Sequence, residues 1–174
     1  FEKLRSGGTP LTSKKHYYNG HIPFVKIEDI TGAGKFLTDT KIKISNDGLN
    51  NSTAWLVPKD SLLLAIYGSI GEITINKIEV TTNQAILGIV LDKNRVDTDY
   101  VYYFFKNIKL IRYAKQSTQA NLTAEIIRSI EMPLPSLEEQ KRISLILNTL
   151  DKKLSLQQSK KSKLESIRKS LMND

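Results

Sequence analysis

Apolar residues in this chain follow two different periods, and the change falls at Met132-Pro133-Leu134-Pro135. Upstream, short β-rich runs are punctuated by turn residues. Downstream, 39 residues pass without a glycine or a proline. Ser136 followed by Glu139 is a capping-box pattern, with Pro133 and Pro135 stopping whatever precedes it. Beyond it Ile143, Leu147, Leu150, Leu154, Leu164 and Leu171 mark a seam at steps of four and three. Gln157, Lys161 and Arg168 occupy the same stripe and interrupt it. The pattern predicts one helix from about 137 to 172, about 54 Å long at ~1.5 Å per residue. A small domain cannot cover such a stripe, so the helix needs a partner helix. Polar residues within the seam help set register and partner number at some cost in stability.

The first 135 residues predict an α/β (α+β) domain in which strands dominate. Expected strands are Ile22 to Ile27, Thr40 to Ile44, Ser61 to Ala65, Glu72 to Ile75 and Gln84 to Leu91. Gly7-Gly8, Gly32-x-Gly34, Asn46-Asp47-Gly48, Gly68 and Gly71 read as turns between them. A helix is expected from Thr98 or Asp99, because Tyr100, Val101, Phe104, Phe105, Ile108 and Ile111 share a face. A short helix follows Thr123 to about Ser129. The division is therefore residues 1–135 as one domain and 136–174 as an appended helix.

Composition narrows the class. A chain of 174 residues and 19.7 kDa fits one domain plus one element. With 40% hydrophobic and 25% charged residues, the composition is that of an ordinary globular chain, and wholesale disorder is not expected. The richest apolar run, Leu62 to Ile66, is strand-sized, so no membrane span is expected. The absence of cysteine removes disulfides, thiolate metal sites and cysteine nucleophiles, and is compatible with the expected cytoplasmic location. His16 and His21 are five apart in a polar segment, a spacing unlike that of a helical zinc site. The chain opens at Phe1 with no charged-then-apolar leader, as expected of an excised or processed piece.

The net charge is +8 and the pI about 9.5, a balance suited to a polyanion, most often nucleic acid. Both parts are basic, at +4 each. Catalytic patterns are missing. Gly68-Ser69-Ile70-Gly71 lacks the Gly-Lys-Ser/Thr of a P-loop, and Gly32-Ala33-Gly34 lacks the third glycine and following helix of a dinucleotide cradle. Glu28 and Asp29, read as strand neighbours, would point to opposite faces and make a poor acid–base pair. No serine sits in a nucleophile elbow. No cofactor and no metal are expected.

Binding patterns are better. Lys14-Lys15-His16-Tyr17-Tyr18-Asn19-Gly20 mixes cations, aromatics and an amide ahead of a strand; the cations suit phosphates, and Tyr or Asn suits bases. The alternative is a loop with its tyrosines packed inward. Lys115 to Thr123 places Gln116, Thr118, Gln119 and Asn121 between two helices. Such amides can read adenine bidentately, or simply cap and turn. Asn83 and Gln84, leading into an apolar strand, are expected to be structural amides. Lys26 and Ser69 complete the expected DNA-facing set.

Taken in order, Gly8-Thr9-Pro10, Tyr18-x-Gly20-x-Ile22-Pro23-Phe24-Val25-Lys26-x-x-Asp29-Ile30, Gly68-Ser69-Ile70-Gly71, Asn83-Gln84-Ala85 and Tyr100-Val101-Tyr102-Tyr103 resemble a target recognition domain. Asn121-Leu122 and Ile130-x-Met132-Pro133-Leu134-Pro135-Ser136-Leu137-Glu138-Glu139-Gln140-x-x-Ile143 extend the likeness. The family is the specificity subunit of Type I restriction-modification systems, and the resemblance spans nearly the whole chain. It implies a domain that reads one half of a bipartite site in double-stranded DNA through the major groove. It also implies a helix that pairs antiparallel with that of a second repeat, as a coiled coil spacing the half-sites. Methyltransferase subunits dock on that helix pair, restriction subunits join the complex, and the specificity subunit is not itself catalytic. Full subunits hold two domain-plus-helix units and this chain holds one, as a half subunit or a piece of a full one. Two other classes fit the residues: the recognition half of a fused methyltransferase or restriction enzyme, and a coiled-coil assembly protein.

Overall fold

The computed structural model describes residues 1–114 and 121–172. Its centre is the run Leu62–Ala65 (β5), apolar at every position and fully buried. A strand of that kind must be covered on both faces. Antiparallel neighbours β6 (Ile73–Asn76) and β8 (Ile86–Val90) flank it. β1 (Lys3–Ser6) adds antiparallel outside β8, and β3 (Phe36–Leu37) adds parallel outside β6, giving the order β1-β8-β5-β6-β3. A second sheet places β2 (Ile22–Val25) between antiparallel β4 (Ile42–Ile44) and parallel β7 (Thr81–Thr82).

Strand alternation sorts the core into layers. Leu62, Leu64, Leu87 and Ile89 meet α3 (Thr98–Asn107) and α4 (Ala124–Ser129) through Val101, Phe105 and Ile127. Leu63 and Ile86 face the opposite layer of Val25, Trp55, Val57 and Val80. Gly88 also faces that layer, where a Cβ would lie 2.8 Å from Trp55 Cζ2 and 3.0 Å from Val57 Cγ2. Gly88→Ala is therefore expected to destabilise the fold by about 1–3 kcal/mol through overpacking. Urea unfolding checks this: an unchanged midpoint would show that Trp55 swings aside without cost.

The long strands and helices form where the residue pattern places them, and the differences are local. β2 stops at Val25, short of Ile27, because the Asp29 carboxylate accepts the Lys26 N–H at 2.8 Å and opens α1 (Ile27–Ala33). Glu28 and Asp29 are thus helix neighbours: Glu28 is exposed, and buried Asp29 also accepts the Lys41 N–H. Asn46-Asp47-Gly48, expected as a turn, lies in α2 (Asn46–Asn50), capped by Ser45 Oγ accepting from Gly48 N. Ile111 falls beyond α3 in a 3₁₀ turn and is exposed, so it does not extend the apolar face.

α5 (Leu137–Met172) begins where Ser136 Oγ accepts the Glu139 N–H, at 3.3 Å. Its first turns lie along α3; every described side chain from Thr149 onward is exposed. No helix among the described residues is long and apolar enough to cross a membrane.

Candidate nucleic-acid interface

Strand direction gathers several polar residues at one end of the sheets. The C-terminal ends of β1 and β5 pair with the N-terminal end of β8, and β7 runs into that same end through Asn83-Gln84. β2 runs parallel to β7, so Lys26 follows onto this edge, where Asn83 N donates to Val25 O. The turn between β5 and β6 is here as well. Its Gly68 and Gly71 take φ of +68° and +92°, which favours glycine, and Ser69 is half-buried between them. Leu122 N donates to Ile66 O, bringing Asn121 beside the turn, where its amide donates to the Tyr67 hydroxyl at 3.3 Å. Lys26, Ser69 and Asn121 therefore share one edge of the domain.

The other expected residues are placed differently. Lys14 and Lys15 are exposed, but at the opposite end of the small sheet, beside the start of β2. Tyr17 is buried at 4% exposure, its carbonyl accepting from Ser45 N. Lys14 Nζ lies 3.2 Å from the Tyr17 hydroxyl and 5.2 Å from the ring centre. Tyr18 is half-buried edge-on to Phe24 and donates to Pro10 O at 2.6 Å; burial raises its phenol pKa. The two tyrosines expected to face DNA thus take the inward-packed arrangement that the sequence also left open. Both rings pack inward, Tyr17 beneath the Lys14 side chain and Tyr18 against Phe24. Gln116, Thr118 and Gln119 lie outside the described residues.

The two amides of Asn83-Gln84 part company. Asn83 Oδ1 accepts the Ala85 N–H in a local turn. Gln84, expected to be structural, is exposed on the candidate edge and accepts from the Thr9 hydroxyl at 2.6 Å. Tyr67 and Gln84 are the residues sequence reasoning missed here. Only the strand pairing that closes this end of the sheet brings them to the edge. The described residues hold no His/Cys/Asp/Glu group fit for a metal ion.

On α5 the seam divides. Ile143 and Leu147 are half-buried and line a groove with Tyr100, Tyr103 and Phe104. Leu150, Leu154 and Leu164 are exposed, while the Leu171 side chain lies outside what is described.

The structure is thus a mixed-sheet domain with a polar edge that includes Lys26, followed by a long helix whose apolar stripe is exposed from Leu150 onward. The chain belongs to the Type I restriction modification DNA specificity domain family, whose model matches residues 1–166. It is 29% identical over 170 residues to the type I restriction enzyme MjaIX specificity subunit of Methanocaldococcus jannaschii, covering 95% of this chain and 39% of that one. To the Escherichia coli EcoR124I/EcoR124II specificity subunit it is 26% identical over 159 residues, covering 86% and 38%. The chain thus spans about two-fifths of these relatives. Among solved structures, a chain from a study of complex assembly and conformational transition of the type I R-M system superposes with a TM-score of 0.80 at 17% identity. That match covers 97% of this chain and 40% of the other. The HsdS subunit from Thermoanaerobacter tengcongensis gives 0.68 at 16% identity, covering 88% and 36%. Both share the fold.

Proposed function

We propose that this chain is a sequence-specific DNA-binding module of a Type I restriction-modification system and carries out no chemistry of its own. Residues 1–135 read one half of a bipartite duplex site, and residues 136–174 form the spacer helix. That helix pairs antiparallel with a second copy or a second repeat, and the pair presents a surface to methyltransferase and restriction subunits. The observation that carries this reading is the family match running continuously through both the domain and the helix. A purely structural coiled coil would need only the helix.

Within that reading, Lys26 meets phosphates beside Ser69 and Asn121, which face the bases, while Lys14 and Lys15 meet phosphates farther along the duplex, from the other end of the small sheet. Replacing Lys14, Lys15 or Lys26 by Ala is expected to weaken binding to all duplexes. The slope of log affinity against log salt should become shallower by about one for each phosphate no longer neutralised. Asn121→Ala should lower affinity for the selected site while changing stability by less than about 1 kcal/mol. Selection from a random duplex library, then titration across salt concentrations, tests both. A native chain showing no salt-dependent duplex binding would leave the coiled-coil assembly reading in its place.

A further inference from the structure

Besides the half-buried Ile143 and Leu147 of its seam, α5 is attached to the domain by polar contacts that lie on a different face of the helix. Gln140, Ser144, Asn148 and Asp151 follow at steps of four, four and three, which on a helix of ~3.6 residues per turn is one stripe. That stripe is about a quarter-turn from Ile143, Leu147, Leu150 and Leu154. Gln140 is completely buried. Its Oε1 accepts the Asp97 N–H at 2.9 Å, and its Nε2 donates to Arg95 O at 3.1 Å and Pro135 O at 2.9 Å. One turn on, Ser144 Oγ donates to Asp97 Oδ1 at 2.6 Å, the same oxygen that caps α3 by accepting the Tyr100 N–H. Beyond it the Tyr103 hydroxyl lies 2.9 Å from Asn148 Oδ1 and 2.7 Å from Asp151 Oδ2. Lys35 Nζ also binds Asn148 Oδ1 and pairs with Asp99 at 2.5 Å. Burial and the Asp151 carboxylate hold the Tyr103 phenol well above its usual pKa, so it stays a donor.

An apolar contact is non-directional and tolerates sliding, whereas buried hydrogen bonds specify distance and angle. Shifting α5 by even part of a turn would orphan the Gln140 amide and three backbone groups that it binds. Small angles matter because the helix is long. Met172 is about 48 Å along the axis from Gln140, so a tilt of about 10° moves it by about 8 Å. One base-pair step is about 3.4 Å.

We propose that Gln140, supported by Ser144, Asn148 and Tyr103, is the positioning residue that sets the tilt and rotational phase of α5 on the recognition domain. Through the paired helices it sets the spacing of half-sites the protein accepts. This rests on the bipartite reading above. Two variants test it in the full chain: Gln140→Leu, which removes three hydrogen bonds, and the milder Ser144→Ala/Tyr103→Phe. The cysteine-free sequence allows spin labels at Lys93→Cys on the domain and Lys160→Cys on the helix. The expected result is a broadened label-to-label distance distribution in both variants. Duplexes selected from a random library should keep the native half-sites but spread over neighbouring spacings. Folded variants with the native distance distribution, or with an unchanged single spacing, would overturn the proposal. If Gln140→Leu fails to fold, the double variant decides alone. If the native chain selects no bipartite duplex, the functional reading falls, while the label distances still judge the positioning role.

Discussion

A chain carrying both Leu150→Asp and Leu154→Asp is expected to sediment as a monomer, while the native chain sediments at about twice 19.7 kDa. The two leucines are 49% and 56% exposed although they continue the stripe begun by Ile143 and Leu147. Nothing in the described domain covers them. In an antiparallel helix pair each would sit in the seam, where an unpaired aspartate costs several kcal/mol. The recognition domain makes no contact that depends on them, so its melting temperature should stay where it is. Antiparallel pairing also matches the two-fold logic of inverted half-sites. A native chain that stays monomeric at micromolar concentration with α5 fully helical would remove self-pairing and leave a second, different repeat as the partner.

The second large effect is on stability. Asn76→Leu is expected to cost about 3 kcal/mol, because several buried groups lose partners at once. Asn76 is fully buried in β6. Its Oδ1 accepts the Ser61 N–H at 2.9 Å, and its Nδ2 donates to Pro58 O and Ile78 O, each at 2.9 Å. The side chain thus ties the start of β5 to the loop before it and to the loop that follows β6. For a chain of this size the loss corresponds to a fall in melting temperature of roughly 6–12 °C. Calorimetry on the variant measures it directly. A change below about 1 kcal/mol would mean that water or a loop shift satisfies the exposed groups.

Of the amides expected to be structural, Asn83 is one, accepting the Ala85 N–H, whereas Gln84 is exposed; the fully buried structural amide is Asn76. These amides precede or end apolar strands, and strand periodicity alone cannot say which amide is enclosed. Enclosure depends on the loop at Pro58 folding over β6, a contact between residues 18 apart.

What the sequence determined by itself was the set of elements governed by local rules. The 36-residue helix, the strands around Leu62–Ala65 and Ile86–Val90, and helix starts near Thr98, Thr123 and Ser136 all follow from period and capping. Those signals act within one or two turns or a few strand positions, so they are legible along the chain. Tertiary structure decided the rest. It turned Tyr17 and Tyr18 inward, brought Gln84 and Tyr67 out to the edge with Asn121, and paired β1, with its one buried leucine, to the outer side of β8. It also fixed which face of α5 the domain holds. The apolar stripe is the loudest pattern in the helix, yet the domain grips the quieter one through Gln140, Ser144 and Asn148. The physical reason is that its partners, Asp97, Tyr103 and Lys35, lie 43 to 113 residues away. Only the packing of α3 and β3 against the sheet brings those donors and acceptors to where the helix can meet them.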